Sequence, residues 1–159
     1  MAPRRLHLAV RELVRALGVL SEEQTPCGVP VPAREAHALL LLHEREGAGE
    51  VLVQSDLQQF LGVDKSNVAR LVQRLVERGW VRQEPDPTDG RRRRVVLTAR
   101  GRRLAGELKA RGEALFQSVW QALAPADREA AMRGVERLGE ALRTVGRDHV
   151  ERKEPTRAS

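Results

Sequence analysis

Side chains that bind phosphate are crowded into one quarter of this chain. Residues 64–103 carry twelve Lys/Arg (Lys65, Arg70, Arg74, Arg78, Arg82, Arg91, Arg92, Arg93, Arg94, Arg100, Arg102 and Arg103) against five acids (Asp64, Glu77, Glu84, Asp86 and Asp89). Of 28 Lys/Arg and 22 Asp/Glu in all 159 residues, the remaining 16 and 17 nearly cancel. A positive field focused in this way attracts a polyanion, nucleic acid first. A solvated basic surface would give the same count, so the spacing of the residues has to decide.

Other chemistries find little to work with. The chain has no Gly-rich phosphate loop, no nucleophile elbow and no paired metal-ligand motif. His7, His37, His43 and His149 share no spacing pattern with Asp or Ser, so no catalytic residues, no resident metal and no cofactor are expected. A single cysteine, Cys27, forms no internal disulfide and fits a reducing cytoplasm. No apolar run is long enough to span a membrane. The basic start Met1–Arg5 leads into a segment too broken by charge for a signal-peptide core.

The elements that would position the basic residues follow from periodicity. Leu6, Val10, Leu13, Val14, Leu17 and Leu20 repeat at helical spacing and predict a helix over 5–21, with Gly18 as an internal weak point. Thr25–Pro32 is a breaker cluster. A second helix is expected over 33–46, a short strand at Val51–Val53 and a short helix over 54–61 that Gly62 stops. Asp64 and Ser66 are candidate caps for the next helix, whose Val68, Leu71, Val72, Leu75 and Val76 form a buried stripe and which Gly79 ends. Its opposite face carries Lys65, Ser66, Asn67, Arg70, Gln73 and Arg74, side chains that bond base edges and phosphates.

Helix, Gly-containing turn and second helix is the helix-turn-helix order. A hairpin follows. Residues 80–84 read as a strand, Pro85–Gly90 as a turn ending in Asp-Gly, and 91–97 as the return strand with Val95 and Leu97 on one face. Thr98 is placed to cap a helix over 99–122, and Pro125 to start a last helix over 125–147; the tail 148–159 reads as flexible.

In this order the chain resembles the MarR family, regulators first named for multiple antibiotic resistance. The residues that carry the resemblance are the helix Asp64–Val81, the turn Asp86-Pro87-Thr88-Asp89-Gly90-Arg91 and the signal Leu97-Thr98-Ala99-Arg100-Gly101. It implies a mainly α fold with a small β-wing: one domain over 5–147, a winged helix-turn-helix lobe over 33–98, and dimerisation helices over 5–21 and 99–147. It also implies a homodimer reading a pseudo-palindromic site on double-stranded DNA, with repression as the usual outcome. Ser66, Asn67, Arg70 and Arg74 would face the major groove. Arg91 would enter a minor groove, held by a carboxylate–guanidinium pair with Asp89. Arg92 and Arg93 join it on the wing, and Arg94 is the least expected of the run to reach DNA, because alternation along a strand turns only some side chains outward. The alternative is a non-regulatory, architectural winged-helix protein.

Relatives of this kind release DNA when an effector acts between the lobes, which requires different affinity for two lobe spacings. Leu39, His43, Trp80 and Trp120 are candidates to line a pocket for a small aromatic effector, although each also suits core packing. Cys27 is a candidate redox sensor, against an inert loop thiol. Cys27, His37, His43 and Glu22 or Glu23 are ligand types around the first two helices, but the histidines that zinc-sensing relatives carry on the fifth helix are missing from 99–122.

Overall fold

The computed structural model describes residues 1–19 and 23–151, with side chains described through residue 146. In order they form α1 (Ala2–Leu17), α2 (Ala33–Gly47), α3 (Gln54–Leu61), α4 (Lys65–Glu77), β1 (Val81–Pro85), β2 (Arg93–Leu97), α5 (Ala99–Ala122) and α6 (Arg128–Glu151). None of the described helices is long and apolar enough to cross a membrane.

Helix α1 starts earlier than its apolar repeat, because Pro3 suits a first helical turn. It also ends earlier. Gly18, expected inside the helix, adopts φ 67° and its N–H bonds the Arg15 carbonyl, which makes it the stop. Leu20 lies outside the described residues. No residue of α1 is buried, and Leu6, Leu8 and Leu13 face outward.

The core fills one compact unit, Met1–Leu115. Ala36, Leu39 and Leu42 of α2, Leu57 of α3, and Val68, Leu71, Val72 and Leu75 of α4 meet Trp80, Val81, Val95, Leu97, Ala105 and Leu108. Val29 and Val31 of the loop before α2 are buried as well. Each such aliphatic side chain contributes about 1.5–3 kcal/mol by leaving water, enough in sum to dock a short helix such as α3 that could not persist alone.

The α4 helix ends in a Schellman motif: Gly79 at φ 69° bonds the Val76 carbonyl and the Trp80 N–H bonds the Leu75 carbonyl. Trp80 therefore closes the helix, and β1 begins one residue later than the periodicity suggests. β1 and β2 pair antiparallel from Val81↔Leu97 to Pro85↔Arg93. Arg91 and Arg92 fall in the turn and not in the strand, because the Arg92 N–H bonds the Asp89 carbonyl. Val95 and Leu97 are buried on one face, as the alternation requires.

The expected strand at Val51–Val53 is a single bridge, Val53 to Arg94, joined by the Val95 N–H to the Leu52 carbonyl. It stops there because Val53 is already the N-cap of α3, its N–H taken by Asp56. Arg102 of α5 forks onto Glu46 near the end of α2, and this pair holds the Glu46 carboxyl below the ordinary carboxylate range.

A second compact unit begins at Phe116. Pro125 opens a turn and not the helix: the Asp127 N–H bonds the Ala124 carbonyl, and α6 starts at Arg128. Arg128 lies over the Trp120 ring at 5.6 Å and donates to the Leu123 carbonyl. Helix α6 runs to Glu151, past the expected end, and leaves Met132, Val135, Leu142 and Val145 exposed. Of the expected flexible tail 148–159, residues 148–151 continue this helix and 152–159 lie outside the described residues.

Candidate nucleic-acid interface

The turn into α4 is built by Asp64. Its Oδ1 accepts the Asn67 N–H at 2.8 Å and the Ser66 hydroxyl at 2.7 Å, and its Oδ2 accepts from the Asn67 amide. The Ser66 hydroxyl and then the Asn67 N–H draw its carboxyl below the ordinary carboxylate range. Asp64 is thus the cap, and Ser66 is its donor rather than a second cap. Ser66 and Asn67, both expected to read bases, spend part of their bonding capacity on this turn. Ser66 keeps its acceptor lone pairs, and Asn67 keeps its amide oxygen and second N–H.

At about 100° per residue, the direction opposite the buried stripe of α4 belongs to Ser66, Arg70, Gln73 and Glu77. Arg70 is exposed there, and Gln73 donates to Glu77 at 2.9 Å. Arg74, expected on that face, lies on the flank beside Asn67 and Arg78. Its Nε is 3.2 Å from Oε1 of Glu35, and the Arg78 Nε is 3.1 Å from Oε2 of the same carboxylate. Glu35 stands in the first turn of α2 and is only 3% exposed. It escaped the sequence reading because its partners are about forty residues away.

The wing turn is organised by Asp86. Its Oδ1 accepts from the Thr88 hydroxyl, the Thr88 N–H at 2.8 Å and the Asp89 N–H at 3.1 Å, while Arg94 Nε donates to its Oδ2 at 3.1 Å. The Thr88 contacts and then Arg94 hold this carboxyl far below the ordinary range. The expected Asp89–Arg91 charge pair takes a different form: Asp89 Oδ1 accepts the backbone N–H of Arg91 at 3.0 Å. A carboxylate two residues before an arginine meets the arginine's own amide in a tight turn before it can meet the distant guanidinium. Arg94 is spoken for by Asp86, and Arg92 Nη2 lies 3.6 Å from Asp56 Oδ1 of α3. Among the described residues, Arg91 and Arg93 have no carboxylate partner and are exposed.

These parts converge. Arg91, Arg92 and Arg93 of the wing, Lys65 and Val68 of α4, and Val53, Gln54, Ser55 and Gln58 of α3 line one cleft of about 300 Å³. Four cations and three neutral donors around an open cleft suit an anionic backbone lying across it.

The candidate sensor residues sit in different surroundings. Leu39 and Trp80 belong to the packed core, and the Trp80 ring lies under the Arg78 guanidinium at 4.9 Å. His43 instead lines a separate cleft of about 390 Å³ with Glu44, Glu46, Gly47 and Lys109. Trp120 lies in the second unit. Cys27 is half-buried in the turn before α2, with the Thr25 hydroxyl 3.1 Å from its sulfur. Among the described residues, Cys27, His37, His43 and Glu23 form no metal-ligand group; Glu22 lies outside them.

Comparison with known proteins agrees with this geometry. Residues 28–92 match the model of the MarR family. No curated protein matches the chain. Among solved structures, the PcaV transcriptional regulator from Streptomyces coelicolor, in complex with its natural ligand, is 28% identical, with 88% of this chain and 90% of that one covered and a TM-score of 0.57. BpsR from Bordetella bronchiseptica, whose DNA binding 6-hydroxynicotinic acid regulates, is 24% identical over 86% of this chain and 98% of that one, with a TM-score of 0.62. The S. aureus MepR–DNA complex is 19% identical over 89% and 98%, with a TM-score of 0.64. The last two are likenesses of fold.

Proposed function

We propose that this chain, whose residues 28–92 match the MarR family, is a winged helix-turn-helix protein of that family that regulates transcription by binding a pseudo-palindromic DNA site as a homodimer. The observation that carries the reading is the cleft that joins Lys65 to Arg91, Arg92 and Arg93 beside the exposed Arg70 face of α4. An α-helix face of that width enters the major groove, and a two-stranded wing with unpaired arginines reaches the adjacent backbone and minor groove. Ser66, Arg70 and Gln73 read bases; Lys65 and Arg93 hold phosphates, with Arg92 beside them paired to Asp56; Arg91 inserts.

Dimerisation is supported by apolar surface that a monomer does not use: Leu6, Leu8 and Leu13 on α1, and Met132, Val135 and Leu142 on α6. Two-fold symmetry then requires two half-sites. Repression and release by a small molecule are the finer part of the proposal. PcaV, solved with its natural ligand, supports the second.

Selection of sites from random DNA, followed by footprinting, tests the reading. A short protected inverted repeat is expected. Broad protection with little sequence dependence would favour the architectural alternative instead.

A further inference from the structure

We infer that Glu35 is a positioning residue of the DNA interface, one that withholds Arg74 and Arg78 from phosphate and so limits sequence-independent binding. The inference rests on the reading of α4 as the DNA-reading helix.

The geometry is that of a clamp. One carboxylate, 3% exposed, faces two guanidinium groups seven and eleven residues along from Asn67 on the same flank of α4: Arg74 hydrogen-bonds Oε1, and Arg78 ion-pairs with Oε2 without a hydrogen bond. Arg78 is held a second time by the Trp80 ring, at 4.9 Å. The two arginines are nearly half exposed, at 44% and 45%, so DNA can reach them. They are nevertheless not free. Were both to turn to phosphate, the Glu35 carboxyl would be left without a partner where water hardly reaches, which is costlier than a surface pair lost. The clamp also ties α4 to the first turn of α2, while the buried stripe of Val68, Leu71, Val72 and Leu75 sets the rotation that turns Ser66, Arg70 and Gln73 outward together.

Two consequences distinguish a clamp from a bare structural contact. With Glu35 in place, Arg74 and Arg78 add little to the salt dependence of binding. Without its charge, they become two new phosphate ligands, and affinity for any duplex rises while discrimination falls.

The test uses the full-length protein, the site recovered by selection and a scrambled duplex of the same length, titrated at several salt concentrations. Glu35→Gln keeps the shape and removes the charge. For the scrambled duplex, the slope of log K against log salt is expected to steepen by about one to two, at roughly 0.9 per phosphate contact. The ratio of specific to non-specific affinity is expected to fall by about tenfold or more. An unchanged slope and ratio in a folded Glu35→Gln protein would overturn the inference. Should that variant fail to fold, Arg74→Ala and Arg78→Ala decide: near-parental slopes support the clamp, and a slope reduced by about one in either places that arginine on phosphate already and overturns it. Failure of the parent protein to bind any duplex would instead remove the DNA-binding reading itself, and this inference with it.

Discussion

Gly101 lies directly against the carbonyl of Trp80: a Cβ built on Gly101 would sit 1.9 Å from that oxygen and 3.2 Å from Leu97 Cδ2. Thr98, three residues earlier, caps α5 by accepting the Gly101 N–H at 3.0 Å and donates its hydroxyl to the Gly79 carbonyl at 2.7 Å. The Leu97–Gly101 signal is therefore a joint. It seats the start of α5 on the residues that end α4, with Leu97 in the core beneath.

Replacing that glycine tests the joint. Gly101→Ala would gain about 1 kcal/mol of helix propensity at an open helical site. Here the overlap is with backbone, which cannot swing aside, so a net loss of about 2–3 kcal/mol is expected. Urea unfolding would report it as a lower midpoint with unchanged slope.

Arg91→Ala is expected to weaken binding to the selected site at least tenfold, about 1.4 kcal/mol, because an inserted cation is lost. Asp89 bonds the Arg91 backbone and not its side chain. Asp89→Ala should consequently act by loosening the turn, and lower affinity less. Gel-shift titration of both variants checks the order; unchanged affinity in Arg91→Ala would remove the wing from the interface.

Arg70→Ala should relax base preference at one position of each half-site, while Lys65→Ala should weaken all sequences evenly and reduce the salt slope by about one. Repeating the site selection with each variant separates the two effects.

The wing should withstand mild acid. The folded-state pKa of Asp86 is lowered by Thr88 and Arg94, so its stabilising contribution is present above the unfolded value, about 3.9, and is lost only as pH falls through the lower folded value. The amide shift of Thr88 in an NMR titration is expected to stay flat from pH 8 to about 5. Asp86→Asn should perturb it at neutral pH. A transition of the parent protein near pH 6 would contradict the assignment.

Val135 and Leu142 are more than half exposed on α6, seven residues apart on one stripe. Val135→Glu with Leu142→Glu is expected to convert a dimer to a monomer in sedimentation and to abolish high-affinity binding to the inverted repeat. Retention of the dimer would place the interface elsewhere.

What the chain's residues determined by themselves is local. Gly62, Asp64, Gly79 and Thr98 punctuate the helices because capping and left-handed turns depend on a few consecutive residues. The stripe of α4 and the alternation of Val95 and Leu97 were equally legible, because each has the period of its own element. Gly18 shows the limit of local pattern: the apolar repeat from Leu6 runs past it in sequence, yet the left-handed glycine ends the helix. What only the tertiary structure decided is which cations are free. Arg74 belongs to Glu35, Arg92 to Asp56 and Arg94 to Asp86, whereas Arg91 and Arg93 have no carboxylate partner among the described residues. Four consecutive arginines are identical in sequence, and a carboxylate selects among them only once the fold has brought it within a few ångströms. Coulombic attraction depends on that distance and on burial, and neither is written in residue order.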